Sequence, residues 1–266
     1  MQRFFIERLA IFMNTEKFTH EKVLWVKRHT DKLMTFAISR PAAYRFSAGQ
    51  FSRLGLNLNG TTIWRAYSIM SPEYAEHLEY IAVLIPNGDM SLCFQNMQEN
   101  DCIYLDKNAT GFLLPQRFAD GRDLVMLSTG SGIAPFLSQL NQINLWQRFE
   151  HIVLVHSVSH TDELIFSGRL QQLSSHPLVG EYAHRLTYIP ITTQDNGGML
   201  HQRIPYLLSN GTLSRTCQID FNPQDTRFMI CGNPSMVEDT YSALKQLGFT
   251  MNRNRTPGQI LMENGF

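Results

Sequence analysis

The feature that most constrains this chain is a change of hydrophobic rhythm near Phe118. Across residues 22–114, short segments alternate apolar and polar residues, as in VLWVKRH from Val23, LMTFAIS from Leu33 and EYIAVLI from Glu79. Turn-forming residues punctuate them at Ser39-Arg40-Pro41, Asn57 to Gly60, Ser71-Pro72 and Pro86-Asn87-Gly88-Asp89. A period of two buries one face of a strand, and several short strands at this spacing predict an antiparallel sandwich or barrel. SLCFQNM from Ser91 predicts one short helix. Beyond Phe118 the apolar runs become continuous: LVML from Leu124, IVLVH from Ile152, LTYIPI from Leu186 and RFMIC from Arg227. Stretches of helical length separate them, the last running from Met236 to Leu247. Strands buried on both faces between helices predict a parallel sheet. The expected fold is therefore two-domain, β followed by α/β. An N-terminal antiparallel sandwich or barrel occupies 21–117, a doubly wound parallel sheet occupies 118–266, and an extension covers 1–20.

Composition removes several function classes. The 23 Lys and Arg balance the 23 Asp and Glu, so bulk charge gives no reason to expect nucleic acid or an anionic membrane as partner. Cys93, Cys102, Cys217 and Cys231 show no CxxC or metal-site spacing. That favours a reduced, cytoplasmic protein without a ferredoxin-type cluster. The nine histidines form no HExxH pair, and no metal site is expected. No apolar run approaches the ~20 residues that span a bilayer. Residues 1–13 are apolar but carry Arg3, Glu7 and Arg8. They read as a frayed extension, with Met13 as the alternative true start, or as a helix for a membrane or partner.

Five segments carry chemistry, each with an ordinary alternative. In Arg65-Ala66-Tyr67-Ser68, alternation puts Arg65 and Tyr67 on one strand face and Ser68 on the other. Such a tyrosine can stack on a flat heterocycle while the arginine neutralises a phosphate; an exposed cross-strand pair fits equally. Gly88-Asp89-Met90-Ser91 ends a strand and opens the short helix, either as an anion site with a serine cap or as a plain turn. Thr129-Gly130-Ser131-Gly132 lies between a strand and a helix, either where glycines let backbone approach a pyrophosphate or as the common glycine-rich loop that follows a strand. Cys231 ends the last apolar run, either beside a nicotinamide ring or as a small buried hydrophobe. The tail, with Glu263 and Phe266, is a loose end or a segment folded back on a flat ring, with Glu263 as a proton-relay candidate.

Taken in order, these motifs resemble the bacterial branch of the ferredoxin–NADP⁺ reductase superfamily. HTDKLMTF from His29, FSAGQF from Phe46, RAYSI, STGSGIAPF from Ser128, HSV from His156 and CGNPSM from Cys231 carry the resemblance. It implies a barrel holding FAD and an α/β domain holding NADP(H), with NADH possible. Arg65, Ala66, Tyr67, Ser68, Gly88, Met90, Ser91, Thr129 and Phe266 would then meet FAD. Thr129, Gly130, Gly132, Ser159, Thr193, Gln194, Arg203, Cys231, Gly232 and Met236 would meet the nicotinamide nucleotide. Ser68, Cys231 and Glu263 would serve the hydride step.

The family branch reads the adenosine 2′-phosphate with arginines at the positions of Ser159 and Gln194, and a third matches Arg203. Losing two bidentate contacts predicts weakened preference for NADPH over NADH, with Arg203, His160 or His201 left to bind the phosphate. The resemblance implies an enzyme, taken to be a monomer, that exchanges single electrons with ferredoxin or flavodoxin. A basic rim of Arg40, Arg45, Arg53, Arg65 and Lys107 would face that carrier. The alternatives are an NAD(P)H-dependent free flavin or quinone reductase and a non-enzymatic nucleotide-binding module.

Overall fold

A computed structural model describes residues 17–265; the segment 1–13 and Phe266, both given roles above, lie outside the described residues. Six strands form the first sheet: β1 (Phe18–Arg28), β2 (Leu33–Ser39), β3 (Phe51–Leu58), β4 (Thr61–Ser68), β5 (His77–Val83) and β6 (Cys102–Asp106). Their order is β4-β3-β6-β1-β2-β5 and every ladder is antiparallel. The period of two is visible in β2, where Met34, Phe36 and Ile38 all enter the sheet's own core. The helix α1 (Asp89–Gln95) adds Met90 and Phe94 to that core. It starts two residues ahead of the predicted Ser91, because Gly88 serves as its N-cap. The end strands β4 and β5 approach one another without a ladder, so the sheet is a partly closed barrel with an open seam.

The second sheet contains β7 (Asp123–Thr129), β8 (His151–Val158), β9 (Leu186–Thr192), β10 (Thr226–Gly232) and β11 (Ile260–Asn264). It is parallel throughout, in the order β11-β10-β7-β8-β9. Alternate residues feed two different cores: Leu124, Met126, Met229 and Cys231 one, Val125, Leu127, Phe228 and Ile230 the other. That explains the unbroken apolar runs. The helix α2 (Ala134–Gln139) follows the glycine turn and buries Phe136 completely, a contribution of roughly 2–3 kcal/mol. The last long helix, α3 (Pro234–Gln246), starts two residues before the predicted Met236. The side chain of Asn233 caps it by accepting from the N–H groups of Ser235 and Met236. Residues 260–264, left open by the sequence, form the edge strand β11.

One core runs through both halves, since Leu33, Met70 and Ile81 join Leu124, Met126 and Phe136. Ser138 Oγ donates to the carbonyl of Ser71 at 2.7 Å, and Arg169 meets Glu79 at 2.7 Å. Among the described residues no helix is long and apolar enough to cross a membrane.

Candidate functional site

A cavity of about 350 Å³ opens at the barrel seam. Arg65, Ala66, Tyr67 and Ser68 of β4 line it with Ile81 and Val83 of β5, and Gly88, Met90 and Ser91 line it too. The alternation argument expected Arg65 and Tyr67 apart from Ser68. Because β4 is an end strand, the cavity instead reaches side chains of both directions. Tyr67 stands edge-on to Phe94, ring centroids 5.5 Å apart, and burial pushes its phenol pKa up so that the ring stays neutral. Ser91 is not a helix cap: its Oγ accepts from the Ile85 N–H at 2.8 Å and fixes the preceding turn.

A second cavity, about 580 Å³, lies at the carboxyl ends of β7 and β10. The chain runs β7, β8, β9 outward and then returns to place β10 on the other side of β7. Ligands of open α/β sheets sit at such a switch point. Thr129, Gly130, Ser159, Thr193, Arg203, Gly232 and Met236 line this cavity. Thr129 Oγ1 accepts from the Asn233 N–H at 3.0 Å, tying the two strand ends together. Thr129 does not line the first cavity, whereas Gly132 and Cys231, expected at the nucleotide, do. Ser131, Gly265, Val83 and Ile85 line both, forming a common wall.

The glycine turn fits close backbone approach. Gly130 has φ +52° and open space where a side chain would stand. At Gly132 an added Cβ would lie 2.3 Å from the carbonyl oxygen of Cys231, so only glycine lets this turn rest on β10. His156 lies beneath it, buried, with Nε2 3.0 Å from the carbonyl of Gly130. Burial pushes its pKa down to about 4, against the raising effect of that bond. The imidazole is therefore neutral, with Nε2–H as the donor.

Register brings the titratable pair together, since β11 sets Glu263 beside Cys231 of β10. Burial raises the Glu263 pKa to about 7, opposed by the Phe112 N–H that its carboxylate accepts. Burial, then the Glu263 charge, pushes the Cys231 thiol up, so it stays protonated and is no nucleophile.

Several expectations are not brought to the site. Gln194 lines neither cavity; it is exposed, and its N–H donates to the Ser159 carbonyl at 2.9 Å. His160 Nδ1 lies 3.7 Å from Asp195, and His201 Nδ1 lies 3.5 Å from Thr192 Oγ1; neither lines a cavity. Asp195 adds a fixed anion here. Hydrogen bonds from the N–H and hydroxyl of Thr161, joined by the Gly197 N–H, hold its carboxyl well below the usual carboxylate range. Sequence reasoning missed Val83, Ile85, Glu163, Asp239, Asn264 and Gly265. The strand pattern hinted at Val83 and Ile85, the family resemblance included Glu163, and Asn264 and Gly265 belong to the tail already singled out, but none was assigned to a site.

Comparison with known proteins bears on this geometry. Residues 25–109 match the oxidoreductase FAD-binding domain family, and residues 126–242 the oxidoreductase NAD-binding domain family. The ferredoxin–NADP reductase of Pseudomonas aeruginosa is 36% identical over 253 residues, covering 92% of this chain and 96% of that protein. The chain belongs to the ferredoxin–NADP reductase family. Another family member, the flavodoxin/ferredoxin–NADP reductase of Rhodobacter capsulatus, is 30% identical, covering 92% of each chain. The crystal structure of a ferredoxin NADP⁺ reductase from Neisseria gonorrhoeae, with bound FAD and NADP, is 57% identical. It superimposes with a TM-score of 0.88 and covers 94% of this chain and all of that one.

The residues present suit what the ferredoxin–NADP reductase family carries. A neutral tyrosine ring, an apolar wall from Ile81, Val83 and Ile85 and the guanidinium of Arg65 match a planar heterocycle with phosphates. The open left-handed corner at Gly130 and the exposed Arg203 match a second phosphate-bearing nucleotide.

Proposed function

We propose that this chain is an FAD-dependent oxidoreductase that passes a hydride between NADP(H) and flavin, and single electrons to or from ferredoxin or flavodoxin. The observation that carries this reading is the common wall of Val83, Ile85, Ser131 and Gly265, which sets two nucleotide-sized cavities side by side. When bound, FAD takes up electrons as a hydride pair and gives them out singly.

Residues 21–117 would hold FAD and residues 118–266 the nicotinamide nucleotide. Arg65 would neutralise phosphate, and Tyr67 would cover one face of the ring. Ala66, Gly88, Met90 and Ser91 would complete that site. The Ser68 hydroxyl, which makes no hydrogen bond among the described residues, would orient the hydride-accepting edge. Gly130, Thr129, Thr193 and Ser159 would line the path of the nucleotide, with Arg203 for its 2′-phosphate and Gly232 and Met236 around the nicotinamide. Cys231, neutral and buried, would pack beside the reacting ring without attacking it. Glu263 would hold or release the accompanying proton, because its pKa lies near 7.

Four unpaired cysteines, with Cys102 exposed, support a cytoplasmic enzyme. The test is an anaerobic visible-spectrum titration with NADPH, then NADH. A yellow protein bleached by nucleotide is expected; a protein that stays colourless after FAD is added overturns the reading.

A further inference from the structure

One buried histidine has no part in the hydride step, yet it strands a polar atom in the core. His156 lies near the end of β8 and is 1% exposed. Alternation puts it on the face that Ile152 and Leu154 present to an apolar core. A carbonyl can only accept, so the 3.0 Å contact with Gly130 makes Nε2–H the donor. Nδ1 is left as a bare acceptor, with no hydrogen-bond partner among the described residues. Burial lowers the pKa, so a second proton does not occupy it. A leucine would continue the face of Ile152 and Leu154 without burying an unpaired atom. The histidine therefore calls for a reason.

What the imidazole secures is a peptide plane. Gly130 has φ +52° and nothing within 4 Å of the place a side chain would fill. Its own packing does not choose the orientation of the peptide that follows, and glycine passes between backbone orientations at little steric cost. Two residues on, Gly132 is wedged against the Cys231 carbonyl. The turn is thus clamped at Gly132 and loose at Gly130, where the side chain that bonds it is His156. The strand beneath is firm. Ser128 pairs with His156 in the β7–β8 ladder, and its Oγ donates to the Val155 carbonyl at 2.8 Å. The C=O and N–H of a trans peptide point in opposite directions. With the Gly130 carbonyl drawn to His156, the Ser131 N–H points away from the imidazole, and Ser131 lines both cavities. A flipped plane would turn a carbonyl oxygen that way and repel phosphate.

We propose that His156 is a positioning residue for the nicotinamide nucleotide, fixing the Gly130–Ser131 peptide so that the Ser131 N–H, not the Gly130 carbonyl, meets the pyrophosphate. The inference rests on the nucleotide site proposed above and adds the group that sets the polarity of its turn. His156 lines neither cavity, so it acts only through the peptide it holds. The stranded Nδ1 is the consequence of placing a donor at that depth.

The test compares two inhibitors of NADPH oxidation by the FAD-loaded protein, 2′-phospho-ADP-ribose and 2′-AMP. They share the adenosine end and differ in the pyrophosphate. His156→Leu is expected to weaken inhibition by 2′-phospho-ADP-ribose by about 10-fold or more, the size of one charge-assisted hydrogen bond. Inhibition by 2′-AMP should change by no more than about twofold. The same variant should raise KM for NADPH and hold kcat within about threefold, the signature of lost uniform binding. His156→Gln, which can present a donor where Nε2 stands, should bring inhibition back to within about threefold of wild type. A loss of similar size for both inhibitors in His156→Leu, or no loss for either, overturns the positioning role and leaves the function standing. In isotope-labelled wild-type protein, the NMR signal of the Ser131 amide should move with 2′-phospho-ADP-ribose and not with 2′-AMP. An unmoved amide overturns the role even where the variants fail to fold. A flavin-loaded wild type that neither nucleotide inhibits overturns the nucleotide site as well.

Discussion

Replacing Glu263 by glutamine isolates one buried carboxyl whose effect has a calculable size and sign. Its ordinary value is 4.5 and the fold holds it at about 7. Between those two pH values the folded protein keeps a proton that the unfolded chain has released. Stability therefore falls as pH rises through this window. A gap of about 2.5 units at about 1.4 kcal/mol each amounts to about 3 kcal/mol. Glutamine retains an acceptor for the Phe112 N–H and carries no charge to bury. The variant should match wild type below the ordinary carboxylate value and exceed it by up to about 3 kcal/mol above about pH 7. Paired urea melts at about pH 5 and about pH 8 measure the difference. Stopped-flow reduction by NADPH on the same samples should lose its inflection near pH 7 in the variant. A constant offset between the two proteins at both pH values would show that Glu263 titrates like an exposed carboxyl and would refute the burial argument.

Other substitutions probe the remaining parts. The wild-type ratio of kcat/KM for NADPH over NADH should lie below about 1000, and Ser159→Arg, at a position lining the second cavity, should raise it by about 10- to 100-fold. Arg203→Ala should lower kcat/KM for NADPH by about 10-fold and leave NADH nearly unchanged, as steady-state kinetics would reveal. Gly132→Ala places a methyl 2.3 Å from the Cys231 carbonyl oxygen. It should cost about 2–4 kcal/mol in a thermal melt, and an unaltered melt would mean the turn is not wedged against β10. At Glu79, burial alone would raise the pKa, but Arg169, with help from His77, outweighs it and the net shift is downward. Arg169→Ala should therefore cost about 1–3 kcal/mol at neutral pH. That cost should fade as acid protonates Glu79 through its lowered value, and a pH-independent difference would argue against the ion pair.

Local motifs were legible wherever one contiguous stretch builds the geometry. The run from Leu124 through Gly132 to Phe136 announces strand, turn and helix because its apolar residues and glycines are neighbours in the chain. Cys231 could be placed at a strand end for the same reason. Val83 and Ile85 could not be read as site residues, because only closure of β5 toward β4 turns ordinary strand residues into a cavity wall. Asn264 and Gly265 were equally silent: their place depends on β11 pairing with β10, and the Gly265 N–H reaches the Gly232 carbonyl at 2.7 Å across that pairing. Ser91 misled because a serine near a helix start suggests a cap, and nothing local reveals a bond back to Ile85. Formal charge at Arg40 and Arg45 is visible in the sequence, but that their guanidinium groups donate to nearby backbone carbonyls is not.

The wall shared by the two cavities makes each ligand part of the other's binding site. A nucleotide seated against Ser131 and Gly265 would press on residues that also line the first cavity. By thermodynamic reciprocity, whatever factor the first ligand imposes on the affinity of the second, the second imposes on the first. Redox state enters the same cycle, because oxidised and reduced flavin present different charge to that wall. Nucleotide binding must then shift the flavin's reduction potential by the ratio of the nucleotide's affinities for the two states. With both ligands so seated, the wall of Val83, Ile85, Ser131 and Gly265 would let the abundance of a soluble nucleotide set how readily the enzyme parts with its electrons.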